Sequence, residues 1–315
     1  MTVTGRFAPS PSGPMHLGNA RSALLAWLDA RARGGRVVLR IEDLDRDRCR
    51  PEYAVAVRDD LRWLGLDWDA ESTAQSRRDA VYEAALAGLR ERGLVYECFC
   101  TRRDVAVASA PHGPGEEPRG CPRGCADLDP AERRRRVDAG ERAALRVRLP
   151  AVLPAVDDRL HGLVVPSGDS GDMVVRRSDG LHAYHLAVVV DDAADGVTDV
   201  VRGDDLLASA PRQAALARLL DLPVPAYAHV PLLLGPDGAR LAKRHGAISI
   251  AELRGSGIAP DMLVTALAGS AGLGADGGAR PIDLVEGFAL ERIDRRPVTV
   301  RTDSSGLRFD AVNCG

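Results

Sequence analysis

A histidine and nearby glycines close to the start of the chain form a pattern that is suited to binding phosphate. The proline- and serine-rich segment 9–14 is followed by His16, Gly18 and Asn19, and a helix is predicted over residues 20–33. A histidine in the first turn of a helix can donate a ring N–H to a phosphate, and the free backbone amides of that turn add a partial positive charge. Glycine lets the backbone approach a ligand closely. The alternative interpretation is a proline-rich turn that leads into an ordinary helix.

A second basic group lies late in the chain. Lys243 is the only lysine among the 42 lysine and arginine residues, and it lies in the glycine-rich segment 235–246 together with Arg240 and Arg244. Lysine offers a compact ammonium on a flexible stem, whereas arginine offers a planar fork. A mobile basic loop can close on a developing pyrophosphate and reopen for its release. A solvated surface loop is the alternative, and the single lysine favours the functional interpretation.

Four of the six cysteines lie in two close pairs, Cys98 with Cys100 and Cys121 with Cys125. Four thiolates suit tetrahedral Zn²⁺. The spacings CxC and CxxxC are less common at zinc sites than paired CxxC. The cysteines alone therefore leave two interpretations open, a metal site or four reduced thiols without a shared role.

The bulk properties exclude some classes of protein. The chain has 315 residues and a net charge of only −3, so it would not bind nucleic acid through overall charge and needs a local patch to do so. We expect no signal peptide and no membrane span, which predicts a soluble, cytoplasmic protein without a membrane partner. The basic segment 132–137 could contact an RNA backbone, but a solvated helix face is the favoured interpretation.

The elements that position these residues are typical of an α/β protein. A short strand over 5–8, the helix over 20–33 and a strand over 36–41 form a unit that builds a parallel sheet. An apolar run at 182–192 is predicted as a buried strand or a helix–strand segment, and the chain after residue 250 is predicted as mainly helical. Other predicted elements are helices near 52–64, 77–92 and 206–220, and strands near 143–149, 160–166 and 198–202.

Together these blocks resemble the class I aminoacyl-tRNA synthetases, and within them the glutamyl branch. The segment RFAPSPSGPMHLGNAR (6–21) resembles the HIGH signature of that branch, and RLAKR (240–244) resembles its KMSKS signature. RIEDLDRDR (40–48) and the order of the blocks also match, over residues 3–300. The resemblance implies a ligase that activates glutamate with ATP. It needs no protein nucleophile, because the substrate carboxylate itself attacks the α-phosphate, and catalysis rests on positioning and charge stabilisation.

The resemblance also assigns roles to individual residues. His16 and Lys243 would be catalytic, through contacts with the ATP phosphates and the leaving pyrophosphate, and Mg²⁺ would accompany ATP. For Glu42 and Arg202, a structural ion pair is an equally open interpretation. The implied ATP contacts are His16, Gly18, Asn19, Arg240 and Lys243. The implied glutamate contacts are Arg6, Phe7, Ala8, Pro9, Ser10, Glu42, Tyr184 and Arg202. The chain departs from the family pattern at Asn19, Arg240, Ala242 and Arg244.

One group of short relatives within this branch, the glutamyl-queuosine tRNA(Asp) synthetases, carries a zinc ion in the corresponding insertion and lacks an anticodon-binding domain. Only about seventy residues follow Lys243 here. The resemblance therefore implies one structural Zn²⁺ on Cys98, Cys100, Cys121 and Cys125. It also implies transfer of glutamate to the queuosine base in the anticodon arm of tRNA(Asp). Two alternatives stay open, a glutamate-activating enzyme with a non-tRNA acceptor and a non-catalytic tRNA-binding paralogue.

The expected architecture is a Rossmann-like parallel sheet with an inserted cysteine-rich subdomain and a small C-terminal helical subdomain. We expect the protein to be a monomer. The predicted divisions are 1–95 and 180–235 for the two halves of the catalytic sheet, 96–179 for the insertion with the cysteine site and an acceptor-binding region, 236–300 for the KMSKS-like loop and helical subdomain, and 301–315 for a tail.

Overall fold

A computed structural model describes most of the chain. The described residues are 2–101, 103–104, 121, 124–166, 171–238, 241, 249–274, 277–303 and 306–311. The predicted ATP contacts Arg240 and Lys243, and the neighbouring Ala242 and Arg244, lie outside these ranges. Among the described residues, no helix combines the length and the apolar character needed to cross a membrane.

The described helices and strands alternate in the manner of an α/β protein. The strands are β1 (Thr4–Phe7), β2 (Arg36–Leu39), β3 (Ala70–Glu71), β4 (Val95–Cys98), β5 (Ala144–Val147), β6 (Val156–Asp158), β7 (Gly162–Val164), β8 (Met173–Arg176), β9 (Asp199–Gly203), β10 (Ala226–Val230), β11 (Leu233–Leu234), β12 (Val298–Asp303) and β13 (Gly306–Ala311). The α-helices are α1 (Leu17–Ala32), α2 (Pro51–Trp63), α3 (Asp79–Glu91), α4 (Pro130–Asp138), α5 (Tyr184–Ala194), α6 (Ala210–Leu219), α7 (Ile250–Gly255) and α8 (Pro260–Gly269).

Two sets of parallel strands lie side by side at the centre of the fold. In one set β2 lies between β1 and β3, and in the other β10 lies between β9 and β6, with all four pairs parallel. The sets meet where the Thr198 amide donates to the Thr4 carbonyl at 2.9 Å. The chain connections diverge between β1 and β9, and in open parallel sheets such a switch point is where ligands bind. The predicted α/β class with a parallel sheet is confirmed.

Helix α1 lies deep in the molecule because it is apolar on nearly all sides. Eleven of its sixteen residues are buried, and they include Arg21 and Asp29. A helix that is apolar all round belongs in a core rather than on a surface. It follows β1 directly and returns the chain to β2 through the turn at Gly34 and Gly35, which makes the strand–helix–strand unit that the sequence predicts.

The apolar run at 182–192 forms the helix α5 rather than a strand. A continuous run of apolar residues has neither a helical nor an alternating period, so its sequence does not distinguish a buried helix from a buried strand. Helix α5 is buried from Leu186 to Asp192 and packs against α3 and α6. Its last turns place Asp191 and Asp192 inside the protein.

The insertion between the sheet halves contains its own antiparallel sheet. Strand β5 lies between β4 and β8, and the exposed helix α4 follows the cysteine region. Within α4, Glu132 pairs with Arg135 and Arg136, so this basic segment forms a solvated face with internal ion pairs. Part of the predicted insertion joins the main sheet instead, because β6 pairs with β10.

The region after residue 297 differs from its prediction. Strands β12 and β13 form an antiparallel hairpin, and β12 also pairs in parallel with β11. Val298 and Val300 are buried in the core beside Leu233, and Arg301 is exposed. Burial at every second residue is typical of a half-buried strand. A hairpin therefore occupies 298–311, where the sequence analysis expected the end of a helical region and a tail.

The turn at Gly35 gives a test of how tightly α1 and β1 pack. A Cβ atom on Gly35 would lie 2.6 Å from the Val3 carbonyl oxygen, whereas one on Gly88 in α3 would meet nothing within 4 Å. Gly35→Ala should lower the free energy of unfolding by about 1–3 kcal/mol through overpacking. Gly88→Ala should raise it by up to ~1 kcal/mol through helix propensity. Urea denaturation measures both values, and equal effects of the same sign would contradict this packing.

Candidate active site

A cavity of about 360 Å³ opens at the carboxyl ends of the central strands. Its walls come from the segments that follow β1, β2, β9 and β10 and from the start of α1, which is the switch point of the sheet. Nine residues with predicted contacts to ATP or glutamate line it: Phe7, Ala8, Pro9, Ser10, His16, Gly18, Asn19, Glu42 and Tyr184.

The first turn of α1 faces the cavity and presents a cationic end. His16 is the N-cap residue, and its Nδ1 accepts a hydrogen bond from the Asn19 amide at 3.4 Å. The first turn holds no acidic side chain, so its partial positive charge is not neutralised within the helix. A Cβ atom on Gly18 would lie 3.1 Å from the His16 ring, so glycine lets the ring lie over the helix start. This arrangement is suited to binding an anion.

A buried network of charged side chains lies beside the cavity. The Arg40 guanidinium is 0% exposed and lies 2.6 Å from Asp192 Oδ1, 2.9 Å from Asp195 Oδ2 and 3.4 Å from Glu42 Oε1. Burial raises the pKa of Glu42 to about 7, against the opposing effect of Arg40 and Arg6. Glu42 therefore changes charge close to neutral pH, and it lines the cavity. A ligand ammonium beside it would favour the ionised form.

The two arginines predicted to contact glutamate lie on the adjacent strands β1 and β9. Arg6 Nη1 donates to the Val201 carbonyl at 3.3 Å, and Arg6 Nε lies 3.5 Å from Asp192 Oδ1. Arg202 Nη2 donates to the Leu206 carbonyl at 3.3 Å. Both guanidiniums are buried. Neither arginine lines the cavity, but both lie close enough to Tyr184, which does line it, to lower the pKa of its phenol. A guanidinium fork is suited to binding a carboxylate.

Tyr184 opens α5 and brings a phenol to the same region. Burial raises the pKa of this phenol, and the Glu42 carboxylate raises it further. The group therefore remains a neutral hydroxyl near neutral pH and can donate or accept a hydrogen bond.

Several residues that line the cavity were not predicted from the sequence. Arg21 follows Gly18 by three positions on α1, and it donates from Nε to Ser270 Oγ at 3.0 Å and from Nη1 to the Pro231 carbonyl. The i, i+3 spacing from Gly18 was the available signal, since such residues share a helix face. A Cβ atom on Gly203 would lie 2.6 Å from Asp205 Oδ1, which explains a glycine at this close approach.

The segment that contains Lys243 begins and ends beside the cavity. Leu241 lines the cavity, and its amide donates to the Leu233 carbonyl at 3.1 Å. After the segment, the Ile250 amide donates to the Met15 carbonyl at 2.9 Å, directly before His16. The two predicted signature segments are therefore anchored next to each other, while Lys243 itself lies outside the described residues.

The four paired cysteines form a compact cluster in the insertion. Their sulfur atoms all lie within 4.8 Å of one another, with Cys100 Sγ at 3.3 Å from Cys121 Sγ and at 3.8 Å from Cys125 Sγ. Thiolates at the Zn–S distance of a tetrahedral zinc ion are ~3.8 Å apart. The Cys125 amide donates to Cys121 Sγ at 3.3 Å. The cluster can hold a metal ion.

Comparison with known proteins relates the chain to one family. Residues 2–278 match the family described as "tRNA synthetases class I (E and Q), catalytic domain". The chain is 54% identical to a glutamyl-Q tRNA(Asp) synthetase of Nocardia farcinica, over 96% of this chain and 94% of that protein. It is 51% identical to a glutamyl-Q tRNA(Asp) synthetase of Symbiobacterium thermophilum, over 96% of this chain and 97% of that protein.

A solved structure shares the fold. The glutamate-tRNA synthetase of Elizabethkingia anophelis superposes with a TM-score of 0.80 at 24% identity, over 95% of this chain and 68% of that one. At this identity the likeness supports the architecture alone.

The cysteine cluster predicts metal binding that can be measured directly. Protein purified without chelator should contain about one divalent ion per chain by elemental analysis, because four thiols at this spacing form one complete ligand set. Cys98→Ser and Cys125→Ser should each lose most of the metal. Cys49→Ser is the matched control and should retain it, since Cys49 lies outside the cluster. Full metal content in both cluster variants would refute the site.

Proposed function

We propose that this chain, which belongs to the family of class I tRNA synthetases for glutamate and glutamine, transfers glutamate to the queuosine base in the anticodon of tRNA(Asp). Membership in the family makes the chain a class I aminoacyl-tRNA synthetase-like ligase. The observation that supports this acceptor is the identity of 54% and 51% to two glutamyl-Q tRNA(Asp) synthetases over nearly the full length of each.

Activation of glutamate precedes transfer in this proposal. An oxygen of the glutamate α-carboxylate forms a bond to the α-phosphorus of ATP, and the bond from that phosphorus to the bridging oxygen breaks, which releases pyrophosphate and leaves glutamyl-adenylate. His16 and the first turn of α1, with Gly18 and Asn19, bind the phosphates. Arg240 and Lys243 stabilise the leaving pyrophosphate, and Mg²⁺ accompanies ATP as a counter-ion.

Recognition of glutamate uses the charged groups around the cavity. Arg6 and Arg202 bind the side-chain carboxylate, and Glu42 and the Tyr184 hydroxyl bind the ammonium. The segment Phe7–Ser10 forms the adjoining wall. Each charge of glutamate thereby meets a group of opposite charge or a hydrogen-bond partner in a buried setting, where an unpaired charge is costly.

Zn²⁺ is the ion that best suits the cysteine cluster, because four thiolates with tetrahedral spacing form a closed structural site. Cys98, Cys100, Cys121 and Cys125 would hold it and join β4 to the start of α4. The predicted insertion 96–179, apart from the strands β6 and β7 that join the main sheet, then serves as the acceptor-binding region for the anticodon arm. Residues 236–297, which precede β12, serve as the helical subdomain that carries the KMSKS-like loop. The protein acts as a cytoplasmic monomer.

The charge on Glu42 makes glutamate use depend on pH. The Glu42 pKa of about 7 means that most molecules carry a protonated Glu42 at pH 6 and an ionised one at pH 8. Because the ammonium needs the ionised form, kcat/KM for glutamate in ATP–pyrophosphate exchange should fall about tenfold from pH 8 to pH 6. Glu42→Gln should lower kcat/KM at pH 8 and remove this dependence. An unchanged pH profile in Glu42→Gln would contradict the role.

The acceptor is tested with labelled glutamate and three tRNAs. Queuosine-containing tRNA(Asp) should be labelled, whereas tRNA(Asp) without queuosine and tRNA(Glu) should not, and nuclease digestion should recover the label on the anticodon fragment. Labelling of tRNA(Glu) at its 3′ end would overturn the proposal. If the protein catalyses ATP–pyrophosphate exchange with glutamate but labels none of the three tRNAs, a non-tRNA acceptor would be favoured. Absence of exchange from metal-loaded protein would favour a non-catalytic tRNA-binding paralogue.

A further inference from the structure

Two buried side chains behind Arg202 have no role in the proposed function. His229 on β10 is 0% exposed, and Asp158 on β6 is 1% exposed. His229 Nδ1 lies 2.6 Å from Asp158 Oδ2, and His229 Nε2 lies 3.0 Å from Arg202 Nε. Three strands of one sheet thereby contribute a linear series of an acid, an imidazole and a guanidinium.

The donors and acceptors in this series fix the position of one proton. Arginine Nε can only donate, so His229 Nε2 must accept from Arg202. The ring proton is then on Nδ1, where it is donated to Asp158. Burial lowers the pKa of His229 to about 4, which keeps the ring neutral and its Nε2 lone pair available.

Asp158 is held in one orientation by backbone groups. Its Oδ1 accepts from the Leu160 and His161 amides, each at 3.0 Å. The Oδ2 atom therefore faces the imidazole, and the carboxylate cannot turn without leaving buried amides unpaired. The orientation of the imidazole follows from the turn after β6.

The other contacts of Arg202 leave one nitrogen for a ligand. The guanidinium lies 5.3 Å from the Tyr227 ring, and Nη2 donates to the Leu206 carbonyl. Within the described part of the chain, Arg202 Nη1 is buried and has no hydrogen-bond partner. A buried donor of this kind needs an acceptor, and a ligand carboxylate supplies one.

We propose that His229 is a positioning residue, kept in its Nδ1–H form by Asp158, which orients Arg202 so that Nη1 meets the side-chain carboxylate of glutamate. This inference rests on the proposed function. It extends that function to selectivity, because a donor in a fixed place favours glutamate over glutamine, whose side-chain amide is neutral and carries N–H groups on one of its two terminal atoms.

The substitution Asp158→Asn tests the proton position with almost no change of shape. The two amides on Oδ1 would hold the asparagine carbonyl there and turn its NH₂ group toward His229 Nδ1. That nitrogen would then have to accept, the ring proton would move to Nε2, and an N–H would face the Arg202 Nε–H. We expect KM for glutamate to rise about tenfold, the size of one lost hydrogen bond to a charged group. The kcat and KM for ATP should stay within about twofold.

Controls separate this role from a purely structural one. Asp157→Asn alters the exposed neighbour on β6 and should leave KM for glutamate unchanged. His229→Gln retains an acceptor for Arg202 and should stay within about threefold of wild type, whereas His229→Leu removes it and should raise KM for glutamate about tenfold. The ratio of kcat/KM for glutamate to that for glutamine should fall in Asp158→Asn and His229→Leu, and it should not fall in Asp157→Asn or His229→Gln.

The outcomes distinguish this proposal from the one on which it rests. Absence of glutamate-dependent ATP–pyrophosphate exchange in the wild-type protein would overturn the proposed function. Independently of activity, ¹⁵N NMR of the histidine rings, with the His229 signal identified by its loss in His229→Gln, should show the Nδ1–H form in wild type and the Nε2–H form in Asp158→Asn. A wild-type Nε2–H form would overturn the positioning role, as would equal KM in His229→Gln and His229→Leu. If Asp158→Asn does not fold, the two His229 variants decide.

Discussion

The guanidinium of Arg40 is completely enclosed by protein, and much of the site depends on how that charge is neutralised. A buried cation without partners is strongly unfavourable, so carboxylates must surround it. Asp192 lies in α5 and Asp195 caps its C-terminal end, whereas Arg40 and Glu42 lie in the segment that follows β2, so the ion pairs join that helix to the sheet. The same helix presents Tyr184 at its first turn. The need to neutralise Arg40 in the core therefore helps to set the positions of Glu42 and Tyr184, which line the cavity.

The two carboxylates Asp192 and Glu42 differ in how closely Arg40 neutralises them. Asp192 lies 2.6 Å from Arg40 and 3.5 Å from Arg6. Glu42 lies farther from Arg40, at 3.4 Å, and burial raises the pKa of its carboxyl group. Arg6 and Arg202 lie buried on the adjacent strands β1 and β9, and the start of α1 adds a partial positive charge. A ligand with two carboxyl groups, an ammonium and phosphates nearby would meet complementary charges at each of these points. Much of the electrostatic preparation is thus made by the fold before any ligand enters.

Nine of the residues predicted to contact ATP or glutamate line one cavity, whereas several of the elements around them were not predicted from the sequence. The motif residues near His16 and Glu42 line one cavity, because they follow adjacent parallel strands or begin the helix between them. The apolar run of α5 was ambiguous since a fully buried element has no informative period. The hairpin at 298–311 was missed because its pairing with β11 is distant in sequence. Arg21 could have been found from its i, i+3 spacing to Gly18, whereas His229 contacts side chains on two other strands, and no local pattern encodes those contacts.

The pairing of β11 with β12 has a consequence for the order in which the protein is assembled. Leu233 lies opposite Val298, so the strand that leads into the Lys243 segment obtains this neighbour only after a long stretch of later chain has been synthesised. Contacts between distant residues carry a loop-closure cost and form slowly, whereas the unit of β1, α1 and β2 is local and emerges first from the ribosome. The turn at the start of α1 can therefore fold early during translation, while β11 completes its sheet among the last events. A nascent chain would form the cavity wall beside His16 before the wall beside Leu233 could be completed.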